Sequence, residues 1–96
     1  MRPSEALAKH RDEVLAILAR YPVTNPRVFG SVARGEDKEG SDIDILVEPK
    51  ARMSYFELAK LAVELEAALG CKVDLGEADT VRPHAAASIF ADARPL

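Results

Sequence analysis

Apolar residues recur along this chain with two different periods, which predict helices in some segments and strands in others. Leu7, Val14 and Leu18 lie on one face at helical spacing, so residues 4–20 are predicted to form one helix. Two prolines bracket a break over residues 21–25, and residues 27–29 then have the composition of a short strand. Residues 31–34 follow as one helical turn that stops at a glycine.

Residues 41–48 predict the second strand, because Ile43, Ile45 and Val47 alternate with Asp42, Asp44 and Leu46. Ile43, Ile45 and Val47 occupy one face of it, and Asp42 and Asp44 lie on the other. A proline follows directly and ends the strand. This segment therefore combines a buried apolar face with two carboxylates that point the same way.

The long helix after this strand has a clear start and a clear stop. Ser54 and Glu57 form a capping box, and Gly70 stands where a left-handed helix cap belongs. Residues 72–75 then predict a third strand, so strand, helix and strand form a βαβ unit with parallel strands. If the two strands are neighbours, Asp74 comes close to the aspartates of the second strand.

A last helix is predicted from residue 81 or 82 to about residue 92, which gives the order α-β-α-β-α-β-α. The fold class is therefore α/β (α+β), with a small mixed three-stranded sheet packed with helices. The length of 96 residues fits a single domain over residues 1–96.

Composition narrows the function classes. A net charge of -3 and a pI of about 5.3 argue against a dedicated nucleic-acid binder, which would carry a basic face. Cys71 is the one cysteine, which suits a reducing cytosol, and no apolar stretch resembles a signal peptide or a membrane span. We therefore expect a cytoplasmic protein that does not bind a membrane.

The two aspartates of the second strand predict a metal site. Side chains two residues apart on a strand point to the same face, and neighbouring carboxylates repel each other. A divalent cation between Asp42 and Asp44 would remove that cost, and hard oxygen ligands suit Mg²⁺. The alternative is a solvated strand face, but Leu46 continues the same face and argues against simple exposure.

A phosphate site is predicted just before these aspartates. Gly30 lets the backbone approach a ligand closely, and the free N–H groups of the helix that starts at Ser31 face an anion. Arg34 lies one turn further on, where it is a candidate cation for a triphosphate and equally a candidate surface charge. Asp74, an acid between two apolar residues, is a third candidate metal ligand and proton acceptor.

The segment GSVARG at residues 30–35, followed by SDIDILV at residues 41–47, resembles the signature of the DNA polymerase β-type nucleotidyltransferase superfamily. The short length resembles the minimal nucleotidyltransferase (MNT) group, which is often encoded beside a HEPN-domain protein as a toxin–antitoxin pair. We include Ser41, which opens the second part of the motif, among the predicted nucleotide-binding residues.

The resemblance implies a nucleotidyltransferase fold and a role for each matching residue. Asp42 and Asp44 would hold two Mg²⁺ ions, Asp74 would complete the triad, and Gly30 and Ser31 would contact the triphosphate. ATP would be the donor, and a tyrosine hydroxyl of a cognate HEPN-type toxin would be the acceptor. The chain would act as the antitoxin in a hetero-oligomer with that toxin, without contacting nucleic acid directly.

Two other functions stay open at this point. The chain could neutralise a toxin by binding alone, although a pure binder has no use for three converging acids. It could also transfer a nucleotide to a small molecule such as an aminoglycoside, or to a nucleic acid. The small size argues against a small-molecule acceptor, because larger relatives carry an extra domain that closes over it.

Overall fold

A computed structural model describes residues 1–96, and it contains five helices, four strands and one 3₁₀ turn. The helices are α1 (Pro3–Lys9), α2 (Arg11–Leu18), α3 (Gly30–Arg34), α4 (Tyr55–Leu69) and α5 (Pro83–Asp92). The strands are β1 (Val23–Phe29), β2 (Ile43–Pro49), β3 (Val73–Glu77) and β4 (Arg94–Pro95), and the 3₁₀ turn is Ala78–Thr80.

The sheet is mixed, as predicted, but it has four strands in the order β3-β2-β1-β4, where the sequence predicted three. β2 and β3 are parallel, so the βαβ unit formed with α4 is confirmed, and β1 is antiparallel to β2. The additional strand, β4, has two residues and pairs antiparallel with β1. So short a strand, ending in a proline, carries no alternation that a sequence pattern could detect.

The predicted first helix is wrong in one respect, because it is two helices. The chain leaves helical geometry at His10, whose φ and ψ are -110° and 20°, and α2 begins at the next residue. Leu7 and Val14 are buried on either side of the break, seven residues apart. Helical spacing of apolar positions therefore continues through the break and gives no sign of it.

Strand bounds also differ from the prediction. β1 begins at Val23, inside the predicted break, and its pairing with β2 is irregular around Asn25, which has a φ of 49°. β2 begins two residues later than predicted, so Asp42 lies just before the strand, and β3 extends to Glu77. Pro26 interrupts the pattern of β1, which explains why only the end of that strand was predicted.

β2 is the centre of the core. Ile43, Ile45 and Val47 are fully buried and belong to the same apolar cluster as Leu61 and Leu65 of α4. The capping box at the start of α4 and the left-handed glycine at its end are both present, as predicted. At 15 residues α4 is the longest helix, and none of the helices combines the length and apolar character that crossing a bilayer requires.

Candidate active site

The sheet register brings Asp44 and Asp74 together. They are the second residues of β2 and β3, and they are direct partners in the parallel pairing of the two strands. Asp44 is half-buried, whereas Asp74 and Asp42 are exposed. Because β3 is an edge strand, the carboxylate pair lies at an open margin of the sheet.

The electrostatics of this cluster show the cost of placing the three acids together. The pKa of Asp44 is raised from 3.8 to about 6, first by burial and then by the negative charges of Asp74 and Asp42. The guanidinium of Arg34 acts in the opposite direction, which places that cation close enough to affect the site. Ionisation of Asp44 is therefore less favourable than that of a solvated aspartate, and a cation beside the cluster would offset this cost.

Gly30 touches Asp44 across the boundary between β1 and α3. Phe29 pairs with Asp44 in the sheet, and the chain then turns at Gly30 with a φ of 71°. A Cβ atom built on Gly30 would lie 2.3 Å from Oδ2 of Asp44, a distance that no real contact allows. Two features therefore favour glycine at this position: its backbone is left-handed, and the carboxylate of Asp44 leaves no room for a Cβ atom.

The start of α3 thus lies beside the carboxylates. The first N–H groups of a helix have no partner within the helix, and those of α3 belong to the turn that Gly30 and Ser31 form. Gly35 ends α3 with a φ of 72°, as predicted. The structure therefore brings Gly30, Ser31, Asp44 and Asp74 to one place, with Asp42 at its rim.

The other two predicted nucleotide-binding residues already have partners. Nε and Nη1 of Arg34 each lie 2.6 Å from a carboxylate oxygen, of Glu36 and of Asp92 respectively. The hydroxyl of Ser41 accepts a hydrogen bond from the backbone N–H of Lys38 at 3.0 Å. Arg34 is therefore near the site but engaged in ion pairs, and Ser41 closes the turn that precedes Asp42.

Asp92 is a residue near this site that the sequence did not predict. It lies 58 residues from Arg34 and ends α5, and its carboxylate binds the Arg34 guanidinium. The C-terminal segment was predicted only as a helix, with no contact assigned to it. No local pattern indicates a pair so distant in the chain, because only the tertiary fold brings α5 against α3.

The donor set fits Mg²⁺. Asp42, Asp44 and Asp74 offer only carboxylate oxygens, and the structure has no group of three or more His, Cys, Asp or Glu side chains that could hold a metal ion. Mg²⁺ is typically bound by one or two carboxylates together with water and substrate phosphates, so a site that the nucleotide completes is the expected form.

A cavity of about 530 Å³ lies elsewhere, at the opposite ends of β2 and β3. Pro49 and Glu77, the last residues of those strands, line it together with Lys50 and Arg52. Asp44 and Asp74 stand near the first residues of the same strands, so this cavity is not part of the carboxylate site.

The arrangement points to a class of protein: a glycine turn at a helix start beside three acids on a mixed sheet is suited to metal-assisted transfer from a nucleotide. The family model for the nucleotidyltransferase domain matches residues 7–96. The chain belongs to this nucleotidyltransferase family and is a transferase. The predicted superfamily, fold class and enzyme class are thereby confirmed.

Its relatives include minimal members of the family. The chain is 44% identical over 69 residues to the protein adenylyltransferase MntA of Thermococcus cleftensis, which covers 72% of this chain and 67% of that protein. It is 42% identical over 71 residues to a Methanocaldococcus jannaschii protein named as a protein adenylyltransferase, covering 74% of this chain and 76% of that one. A solved structure described as a minimal nucleotidyltransferase is 38% identical, with a TM-score of 0.84 and coverage of 97% and 95%.

More distant solved structures share the fold. One is a toxin–antitoxin complex with AMP-PNP, matched at 22% identity with a TM-score of 0.78 over 88% of this chain and 69% of that chain. Another is the tri-AMPylated HEPN toxin of Shewanella oneidensis in complex with its MNT antitoxin, matched at 19% identity with a TM-score of 0.72 over 92% and 69%. At these identities the likeness is one of fold.

Asp44→Asn is expected to stabilise the metal-free domain at neutral pH. The pKa of Asp44 in the folded protein, about 6, lies above the ordinary value of 3.8. Ionisation therefore destabilises the folded state progressively between about pH 4 and pH 6, and fully above pH 6. Allowing for solvent screening at a partly exposed group, the gain is about 1 kcal/mol, or roughly 4–8 °C in Tm.

Thermal unfolding of both proteins in EDTA at pH 7.5 and at pH 3.5 measures this gain. The difference should nearly vanish at the lower pH, where the parent carboxyl is protonated in the folded state and mostly protonated in the unfolded state. A lower Tm for the variant at pH 7.5 would show that Asp44 stabilises the fold instead of straining it.

Proposed function

We propose that this chain transfers AMP from ATP to a hydroxyl group of a partner protein, using the carboxylates Asp42, Asp44 and Asp74. The observation that carries the proposal is the placement of Asp44 and Asp74 as direct partners in the sheet, against the turn at Gly30. The name of the relative at 44% identity, a protein adenylyltransferase, supports the reaction class.

Each residue has a chemical task in this proposal. The backbone N–H groups at Gly30 and Ser31 bind the triphosphate and orient its α-phosphorus toward the acids. Asp42 and Asp44 would hold two Mg²⁺ ions together with phosphate oxygens, and Asp74 would ligate one of them. When bound, the ions lower the pKa of the attacking hydroxyl and neutralise charge on the attacking and leaving oxygens.

The transfer step forms one phosphorus–oxygen bond and breaks another. The acceptor hydroxyl oxygen forms a bond to the α-phosphorus of ATP, the bond from that phosphorus to the β-phosphate bridging oxygen breaks, and pyrophosphate leaves. The hydroxyl proton moves to a carboxylate oxygen of Asp74, an exposed acid on the edge strand β3 that an incoming acceptor can reach.

The open margin of the sheet favours a macromolecular acceptor. Asp74 lies on the edge strand β3 and Asp42 lies outside the sheet, and both side chains are exposed. A small acceptor would need walls around it that an open edge does not supply. We therefore propose a tyrosine, or another hydroxyl side chain, on a cognate HEPN-type toxin, with this chain as its antitoxin in a cytoplasmic hetero-oligomer.

Intact-mass measurement tests this proposal. The chain, a cognate HEPN-type toxin and Mg-ATP are mixed, and the toxin should become heavier by one or more AMP units. The same mixture with the Asp42→Asn, Asp44→Asn double variant, or with EDTA, should leave the mass unchanged. Protection of cells by the double variant, with no mass change on the toxin from the parent, would instead favour neutralisation by contact.

Asp74→Asn is expected to reduce transfer far more than nucleotide binding. Asp42 and Asp44 remain to hold the metal that the triphosphate shares, while the proton acceptor for the hydroxyl is lost. Proton abstraction contributes roughly 10²–10⁴-fold, so kcat should fall by about that factor. Calorimetry with AMP-PNP and single-turnover transfer separate the two effects. Unchanged turnover would show that Asp74 takes no part in the reaction.

A further inference from the structure

Asp37 is the one charged side chain that the fold buries, with 4% of its surface exposed. It lies in the loop between α3 and β2, which carries the chain from the phosphate-binding turn to Asp42. Burying a carboxylate is costly unless its partners compensate, so its position requires an explanation. The mechanism described above does not use it.

The contacts of Asp37 join this loop to the start of α1. Its Oδ2 accepts a hydrogen bond from the backbone N–H of Ser4 at 2.8 Å, while Oδ1 is buried and has no partner. Burial acts to raise the pKa of Asp37, but hydrogen bonds, led by that from Ser4, outweigh it and the pKa is lowered. The carboxylate is therefore ionised at neutral pH and acts as a charged anchor.

A second contact between the loop and the start of α1 is an ion pair at the surface. The amino group of Met1 lies 2.8 Å from Oε1 of Glu39, and both groups are exposed. Exposed ion pairs contribute little to stability, so this pair is the weaker of the two ties. It offers a comparison for Asp37, because it joins the same loop to the same end of α1.

The position of Asp42 depends on the loop between α3 and β2, whereas the positions of Asp44 and Asp74 are fixed by their strands. Asp44 and Asp74 lie within paired strands, whose backbone hydrogen bonds fix their positions. Asp42 precedes β2 and follows a turn that the backbone N–H of Ser41 closes onto the carbonyl of Lys38 at 3.0 Å. The N–H of Ile43 bonds to the carbonyl of Lys72 at 2.9 Å and holds the C-terminal side of Asp42, whereas its N-terminal side continues from this turn, which directly follows the buried Asp37.

We infer that Asp37 is a positioning residue, which anchors the loop between α3 and β2 to α1 so that Asp42 is held beside Asp44. The inference rests on the proposed function, in which Asp42 is a metal ligand. Residues that orient metal ligands typically change metal affinity by about 10–100-fold when they are replaced. Loss of the anchor should therefore weaken cation binding without touching any group that contacts the ion.

Two variants, Asp37→Ala and Asp37→Asn, test this inference by two measurements. Asparagine keeps an oxygen that can accept the hydrogen bond from the N–H of Ser4, whereas alanine does not. Calorimetric titration with Mn²⁺ and AMP-PNP together should show affinity for the metal–nucleotide pair lowered about 10–100-fold in Asp37→Ala and less in Asp37→Asn. Amide hydrogen exchange at residues 38–42 should be faster in the alanine variant, at a temperature well below its Tm. Asp37→Asn provides both readouts if the alanine variant does not fold.

Two control variants separate anchoring from loss of charge. Asp12→Asn removes an exposed acid on α2, and Glu39→Gln breaks the surface tie, so both should bind Mn²⁺ like the parent. Parent-like Mn²⁺ affinity and exchange in the Asp37 variants would overturn the inference. Failure of the parent itself to bind Mn²⁺ together with AMP-PNP would refute the proposed function, and exchange at residues 38–42 would then still decide whether Asp37 anchors the loop.

Discussion

Replacing Asp42 and Asp44 together by asparagine is expected to abolish transfer while the domain remains folded. Each substitution preserves the shape of the side chain and removes a charge that the cations require. Charge stabilisation by bound metal ions is worth several kcal/mol in the transition state, so the loss should reach about 10³-fold or more. The fold should persist because neither side chain belongs to the buried core.

The control for this double variant is Asp12→Asn with Asp79→Asn, which changes the net charge equally at two other exposed acids. Single-turnover transfer from radiolabelled ATP measures the activity, and circular dichroism with thermal unfolding verifies the fold. If the double variant unfolded where the parent is stable, the two acids would have a structural role. Transfer at the parent's rate would exclude both from the metal site.

Local sequence signals predicted the elements that position this site. The alternation in β2 places Ile43, Ile45 and Val47 in the core cluster and Asp44 on the opposite face, since strand side chains alternate by geometry. The capping box and the final glycine mark both ends of α4, and the βαβ rule then makes β2 and β3 parallel. Together these signals predicted that Asp74 would lie near Asp44.

Features that depend on tertiary contacts left no such signal. The break at His10 leaves the apolar spacing intact, and β4 is too short to show a period. The ion pair between Arg34 and Asp92 and the bond from Ser4 to Asp37 join residues 58 and 33 positions apart. Burial of Asp37 in particular is invisible in the sequence, where it is one of several charged residues in a loop.

The glycines at the two ends of α3, Gly30 and Gly35, test whether close packing against Asp44 matters for catalysis. Gly30 and Gly35 have φ values of 71° and 72°, so alanine at either position meets the same backbone penalty, about 1–2 kcal/mol. They differ in their surroundings. A Cβ at Gly35 meets nothing within 4 Å, whereas a Cβ at Gly30 would lie 2.3 Å from Oδ2 of Asp44.

Gly30→Ala is therefore expected to displace Asp44 and reduce transfer by about 100-fold or more, since a misplacement of roughly 1 Å at a reacting group has an effect of that size. Gly35→Ala should lose similar backbone stability and keep its activity within a few-fold of the parent. Thermal unfolding and single-turnover transfer of both variants, at a temperature where both are folded, separate the shared backbone cost from the contact with Asp44.

Equal activities in the two variants would mean that close packing of the turn against Asp44 does not matter for catalysis. Restoration of activity in Gly30→Ala by higher Mg²⁺ would instead support a displaced but competent ligand, because mass action can offset a weakened affinity.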